Sequence, residues 1–138
     1  MRTALPLLLL VAAPALADEK SVAALAGSYT VTEFAREGKA VPDEVRKGTS
    51  VTIDGDKLTV SMGGKEIVAK VKADAARKPA EIDLYPLTGD YEKNRYFKGV
   101  YELKGTTLTI TFVEDGDRPK ALDSDAKSST RLVLEKKK

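Results

Sequence analysis

From Ser28 onward, apolar and polar residues alternate with a period of two, the spacing of a strand that buries one face. Tyr29 and Val31 alternate with Thr30 and Thr32, and Val51 and Ile53 with Ser50 and Thr52. Leu58, Val60 and Met62 alternate with Thr59 and Ser61, and Ile67, Ala69 and Val71 with Glu66, Lys70 and Lys72. The pattern returns at Ile82 and Leu84, at Phe97, Tyr101 and Leu103, at Leu108, Ile110 and Phe112, and finally at Leu132 and Leu134. Tight-turn residues separate neighbouring runs: Asp54-Gly55-Asp56, Gly63-Gly64 and Gly105-Thr106. Two stretches have the marks of short helices instead. In residues 19–26, Val22 and Leu25 share a face and Gly27 follows as a stop. Residues 42–48 run from Pro42 through Asp43 and Glu44 to Arg46, Lys47 and Gly48, placing acids in the first turn and bases in the last.

Eight strands joined mostly by short turns predict an all-β fold. Antiparallel strands with one apolar face bury it against a second sheet or by closing on themselves. Eight is the number at which a closed barrel has an interior wide enough for side chains or one small ligand. The expectation is an eight-stranded antiparallel up-and-down barrel, with a two-sheet β-sandwich as the alternative. Phe97, Tyr101, Phe112, Leu58, Val60 and Ile110 are large enough to fill such a barrel, whereas Ala69 and Gly99 leave room for a cavity.

Residues 1–17 follow a different rule. Arg2 supplies a positive start, an apolar stretch centres on Leu7 to Val11, and Ala15-Leu16-Ala17 has the small-x-small form that signal peptidase accepts. The apolar stretch falls short of the roughly 20 residues that span a bilayer. The expected organisation is a cleaved export signal over 1–17 and one domain over 18–138, in the periplasm or outside the cell. The chain has no cysteine, hence no disulfide and no acylated cysteine as a membrane anchor. Its 23 basic and 21 acidic residues are interspersed, without the one-signed stripe of a nucleic-acid binder.

The order of motifs resembles a family of small lipocalin-like domains found in exported bacterial proteins, a family without an assigned activity. The likeness runs through Leu25-Ala26-Gly27-Ser28-Tyr29, the turn Glu37-Gly38-Lys39, the proline-led segment from Pro42 to Lys47, and Pro79-Ala80-Glu81-Ile82-Asp83. It continues through Gly99-Val100-Tyr101-Glu102-Leu103, Gly105, Leu108, Arg118-Pro119 and Leu132-Val133-Leu134. The resemblance implies that the barrel is of lipocalin or calycin type, and it implies no reaction. It also implies a structural latch between the first and last strands, in which Arg131 stacks on the aromatic of Gly27-Ser28-Tyr29.

Candidate chemistry is narrow. Without histidine or cysteine, the commonest general base, thiol nucleophiles and tetrahedral zinc sites are excluded. Asp83 with Asp90 or Glu92 is the nearest carboxylate pair for a hydrolase. Asp54-Gly55-Asp56 and Asp115-Gly116-Asp117, with Asp123 and Asp125, raise calcium, but tight-turn chemistry accounts for them and no metal or other cofactor is expected. The aromatics are more suggestive: Tyr85, Tyr91, Tyr96, Phe97 and Tyr101 crowd around one loop, as at a ligand-binding barrel mouth or as cross-strand packing. The expected function is binding rather than catalysis, of a small apolar or amphipathic molecule held in the barrel. The alternative is a filled barrel that meets a protein or glycan partner through its loops.

Overall fold

The computed structural model describes residues 20–88, 96–114, 116–123 and 128–137. The expected signal segment and Asp90, Tyr91, Glu92, Asp115 and Asp125 lie outside them. A short helix at residues 20–24 (α1) leads into β1 (Gly27–Arg36), β2 (Lys39–Ala40) and α2 (Asp43–Lys47). The remaining strands are β3 (Thr49–Asp54), β4 (Lys57–Met62), β5 (Lys65–Asp74), β6 (Ala80–Pro86), β7 (Phe97–Lys104), β8 (Thr107–Val113) and β9 (Ser129–Lys136).

Each strand from β3 to β8 pairs antiparallel with its successor, and β1 pairs with both β3 and β9. The sheet therefore closes on itself as an eight-stranded up-and-down barrel, which excludes the two-sheet sandwich. The additional strand β2 is a two-residue hairpin arm on β1, pairing Ala35 with Ala40 and Arg36 with Lys39. Glu37 and Gly38 make its turn at positive φ, 50° and 82°. Alternation alone registers Glu37-Gly38-Lys39 as a break, because a strand this short has no period to detect.

Closure depends on a local irregularity. Tyr29 lies opposite Lys136 and Val31 opposite Leu134, but Glu33 faces Val133 and Phe34 faces Leu132. One residue, Thr32, is thus extra, and its hydroxyl donates to the Val133 carbonyl at 3.0 Å. A bulge of this kind reverses which parity of residue faces inward. Before it Tyr29 and Val31 are buried; after it Phe34 is.

The two ends of the barrel differ. At the end where β1 begins, α1 and the residues after it form a plug. Leu25 is fully buried, and the equally buried Tyr29 donates its hydroxyl to the Leu25 carbonyl at 2.6 Å. Ser21 accepts from the Ala75 amide at 3.0 Å, tying the helix to the β5–β6 loop. Ile53, Val71, Ile82, Leu108 and Leu134 pack beneath it. Burial raises the Tyr29 and Tyr101 phenols above their ordinary value, so the folded state favours their neutral forms.

The plug makes a testable demand. The unfolded chain releases its phenol protons near pH 10 while the folded chain holds them, so the stability they contribute is present below that pH and lost as pH rises beyond it. Tyr29→Phe is expected to cost about 1–2 kcal/mol at pH 7 by leaving the Leu25 carbonyl unpartnered, and to make the loss of stability above pH 10 shallower. Urea unfolding at pH 7 and pH 11 checks both, and unchanged values at both would contradict the plug.

Candidate functional site

Toward the opposite end the interior is not filled by the described side chains. A cavity of about 100 Å³ is lined by residues from all eight barrel strands. Val51, Leu58, Ala69, Leu84, Ile110 and Leu134 approach it from the closed half, and Phe34, Val60, Met62, Ile67, Phe97 and Phe112 surround it nearer the rim. Water of that volume would amount to about three molecules at ~30 Å³ each, and so apolar a lining gives them almost no hydrogen-bond partners.

The cavity exists because of small side chains at particular places. Ala69 stands on the wall opposite Leu58 in register, and its methyl leaves space that a leucine would fill. Gly99 acts differently. A Cβ there would come within 2.7 Å of the Thr111 carbonyl and 2.9 Å of Phe112 Cβ, so the glycine permits close approach of β7 and β8 instead of opening space. The result is a stacked pair, Phe97 on Phe112, with ring centroids 5.6 Å apart and an 18° interplanar angle. This pair forms one side of the cavity wall.

Polar groups gather on one sector of the rim. Arg36 at the end of β1, Thr49, Glu114 and Thr130 border the cavity. Arg36 and Glu114 also border an adjoining polar recess with Glu37, Ser128, Ser129 and Thr130. The opposite sector, formed by Met62, Ile67 and Pro86, is apolar, and Leu87 beyond it is exposed.

The aromatic residues singled out in the sequence separate into three places. Phe97 lines the cavity. Tyr101 is buried toward the plugged end, against Ser21. Tyr85 and Tyr96 stack at 4.8 Å and 17°. They lie on the outer wall, since Leu84 and Phe97 beside them point inward. Lys72 and Lys98 approach the stack at 5.3 and 5.8 Å from the ring centroids. Burial, then the Asp83 carboxylate and the neighbouring Tyr96, push the Tyr85 phenol up, and Arg118 opposes them. Tyr91 lies outside the described residues.

The latch expected from Gly27, Tyr29 and Arg131 has a different form. Arg131 faces Ala35 in register, at the end of β1 remote from Tyr29, and pairs with Glu33 at 3.7 Å. No stack of guanidinium on Tyr29 forms. A Cβ on Gly27, whose φ is 148°, would meet Lys136 Cε at 2.6 Å, so the glycine lets the last strand pass close by. The seam is held by the backbone ladder, the Thr32 hydroxyl and this outer ion pair.

Asp83, the proposed member of a carboxylate pair, is engaged by Arg118. The guanidinium Nη2 lies 2.8 Å from Asp83 Oδ1 and Nε lies 3.7 Å from Glu81. Nη1 donates to the carbonyls of Ile82 at 3.2 Å and Gly99 at 2.8 Å. This arginine pins the segment after β8 across the outside of β6 and β7, with Pro119 buried and the Thr111 hydroxyl donating to the Leu122 carbonyl at 2.5 Å. Val100 and Val113 are buried beneath it.

No protein family, curated protein or solved structure matches this chain. The functional reading therefore rests on the geometry of the barrel.

The Gly99 contact generates a prediction about the cavity wall. Gly99→Ala is expected to cost about 1–3 kcal/mol through overpacking, and to separate the Phe97 and Phe112 rings. Thermal unfolding together with aromatic NMR shifts checks this; an unperturbed melting temperature would contradict the close approach.

Proposed function

We propose that this chain is an exported, lipocalin-like binding protein that takes a small apolar or amphipathic molecule through the open end of its barrel. The observation that carries the proposal is the apolar cavity, walled by every barrel strand. Enclosed apolar sites with a few polar groups on one side are the common form of small-molecule pockets. The sequence supports the rest of the reading. The first seventeen residues have the form of an export signal, and the motif order resembles exported lipocalin-like domains. The outward positions of the strands carry threonines, lysines and acids where a membrane barrel carries an apolar band.

A second reading, contact with a protein or glycan partner, is favoured by one observation: the Tyr85–Tyr96 stack flanked by Lys72 and Lys98 on the outer wall. The two sites are on opposite faces of the sheet and can be tested apart.

Xenon is small enough to enter a cavity of this size and binds dry apolar cavities. Under xenon pressure, methyl resonances of Leu84, Ile110 and Leu132 are expected to shift while those of Leu108 near the plug stay put. Ala69→Phe is expected to abolish the shifts without unfolding the protein. Wild-type spectra that ignore xenon would contradict an empty, accessible interior and leave the outer-wall reading in its place.

A further inference from the structure

Five arginines lie among the described residues, and four of them face a carboxylate: Arg46 pairs with Asp43, Arg77 with Asp74, Arg118 with Asp83 and Glu81, and Arg131 with Glu33. The fifth, Arg36, forms no ion pair among the described residues, although it stands where the apolar cavity meets the polar recess of Ser128, Ser129 and Thr130. Its position follows from the bulge at Thr32, which turns the even residues of β1 inward and brings Phe34 and then Arg36 to the cavity side. Two acids, Glu37 and Glu114, border the same recess. Glu37 is an exposed turn residue, and neither acid lies within ion-pair distance of Arg36.

We infer that the molecule taken by the barrel is a short-chain carboxylate, its apolar tail in the cavity and its carboxylate at Arg36. The inference rests on the binding reading above and adds the chemical class of the ligand. The cavity sets the tail length. Its volume of about 100 Å³ accommodates roughly three or four methylene-sized groups on the scale at which a water takes ~30 Å³. The rest of a six-carbon chain then reaches the rim, where the guanidinium offers paired donors that match a carboxylate fork. The hydroxyls of Thr130 and Ser129 border the same space as further donors.

The experiment compares hexanoate with hexan-1-ol, titrated into the full mature chain at low salt and followed by the cavity methyl resonances of Leu84 and Leu132. Hexanoate is expected to bind roughly 1.5-fold to fivefold more tightly than the alcohol, the range for a solvent-accessible ion pair, with the preference shrinking at 0.5 M salt. Arg36→Gln is expected to erase the preference and Arg36→Lys to keep part of it. If the alcohol binds as well as the acid, the carboxylate inference is overturned while the apolar-cavity reading stands. If neither ligand moves the cavity methyls, both are overturned.

Discussion

The seam between β1 and β9 is the constraint on which the rest of this structure depends. A period-two sheet of eight strands has two unpaired edges until the first strand meets the last, and each open edge leaves a row of backbone donors and acceptors without partners. Here β1 meets β9 from Tyr29 to Arg36, and the ladder accommodates one surplus residue on the way. Thr32 fits that position for a chemical reason. Its hydroxyl reaches the Val133 carbonyl, so the bulge satisfies a backbone group that a valine or alanine would leave to water. The same surplus residue changes the parity of β1 halfway up the barrel. The strand thereby contributes Tyr29 and Val31 to the packed half and Phe34 and Arg36 to the open half.

That division organises the interior. The packed half is sealed by Leu25 and Tyr29, and polar groups there are satisfied locally: the Tyr29 hydroxyl by the Leu25 carbonyl, and Ser21 by the Ala75 amide. The open half keeps a small empty volume because Ala69 is short, while Gly99 lets β7 and β8 approach closely beside the stacked Phe97–Phe112 pair. A barrel built this way holds its cavity at a fixed depth, with the plug as floor and a rim that is apolar on one sector and polar on the other. Of the described residues in the long segment after β8, Glu114 borders the cavity. Arg118 fixes that segment to the outside of β6 and β7, where it covers Val100 and Val113 and carries Glu114 at the rim.

Most of the architecture was legible in the residues because alternation is a direct readout of a sheet with one buried face. The eight barrel strands, the helix from Asp43 to Lys47 and the Asp54–Lys57 hairpin turn all follow from pattern and turn chemistry. What the pattern concealed is what long-range pairing decides. Phe34 falls on the even phase while Tyr29 and Val31 are odd, a phase slip that signals a bulge only once β9 is known to be the partner. Arg36 looks like an ordinary charged residue at a strand end, and only that slip brings it to the cavity. The aromatic cluster shows the reverse problem: proximity in sequence suggested one mouth, but strand alternation sends Phe97 inward and Tyr85 and Tyr96 outward, and chain direction carries Tyr101 to the other end. Arg131 was paired with Tyr29 by family resemblance, and the register of β9 gives it Glu33 instead.

The most direct test of this account is the register of β1 on β9 in solution, read from cross-strand backbone NOEs. The account predicts Phe34 opposite Leu132 and Glu33 opposite Val133, with Val31 still opposite Leu134. An unbroken ladder, with Glu33 opposite Leu132, would turn Phe34 and Arg36 to the outer face and contradict both the cavity wall and the rim built upon it.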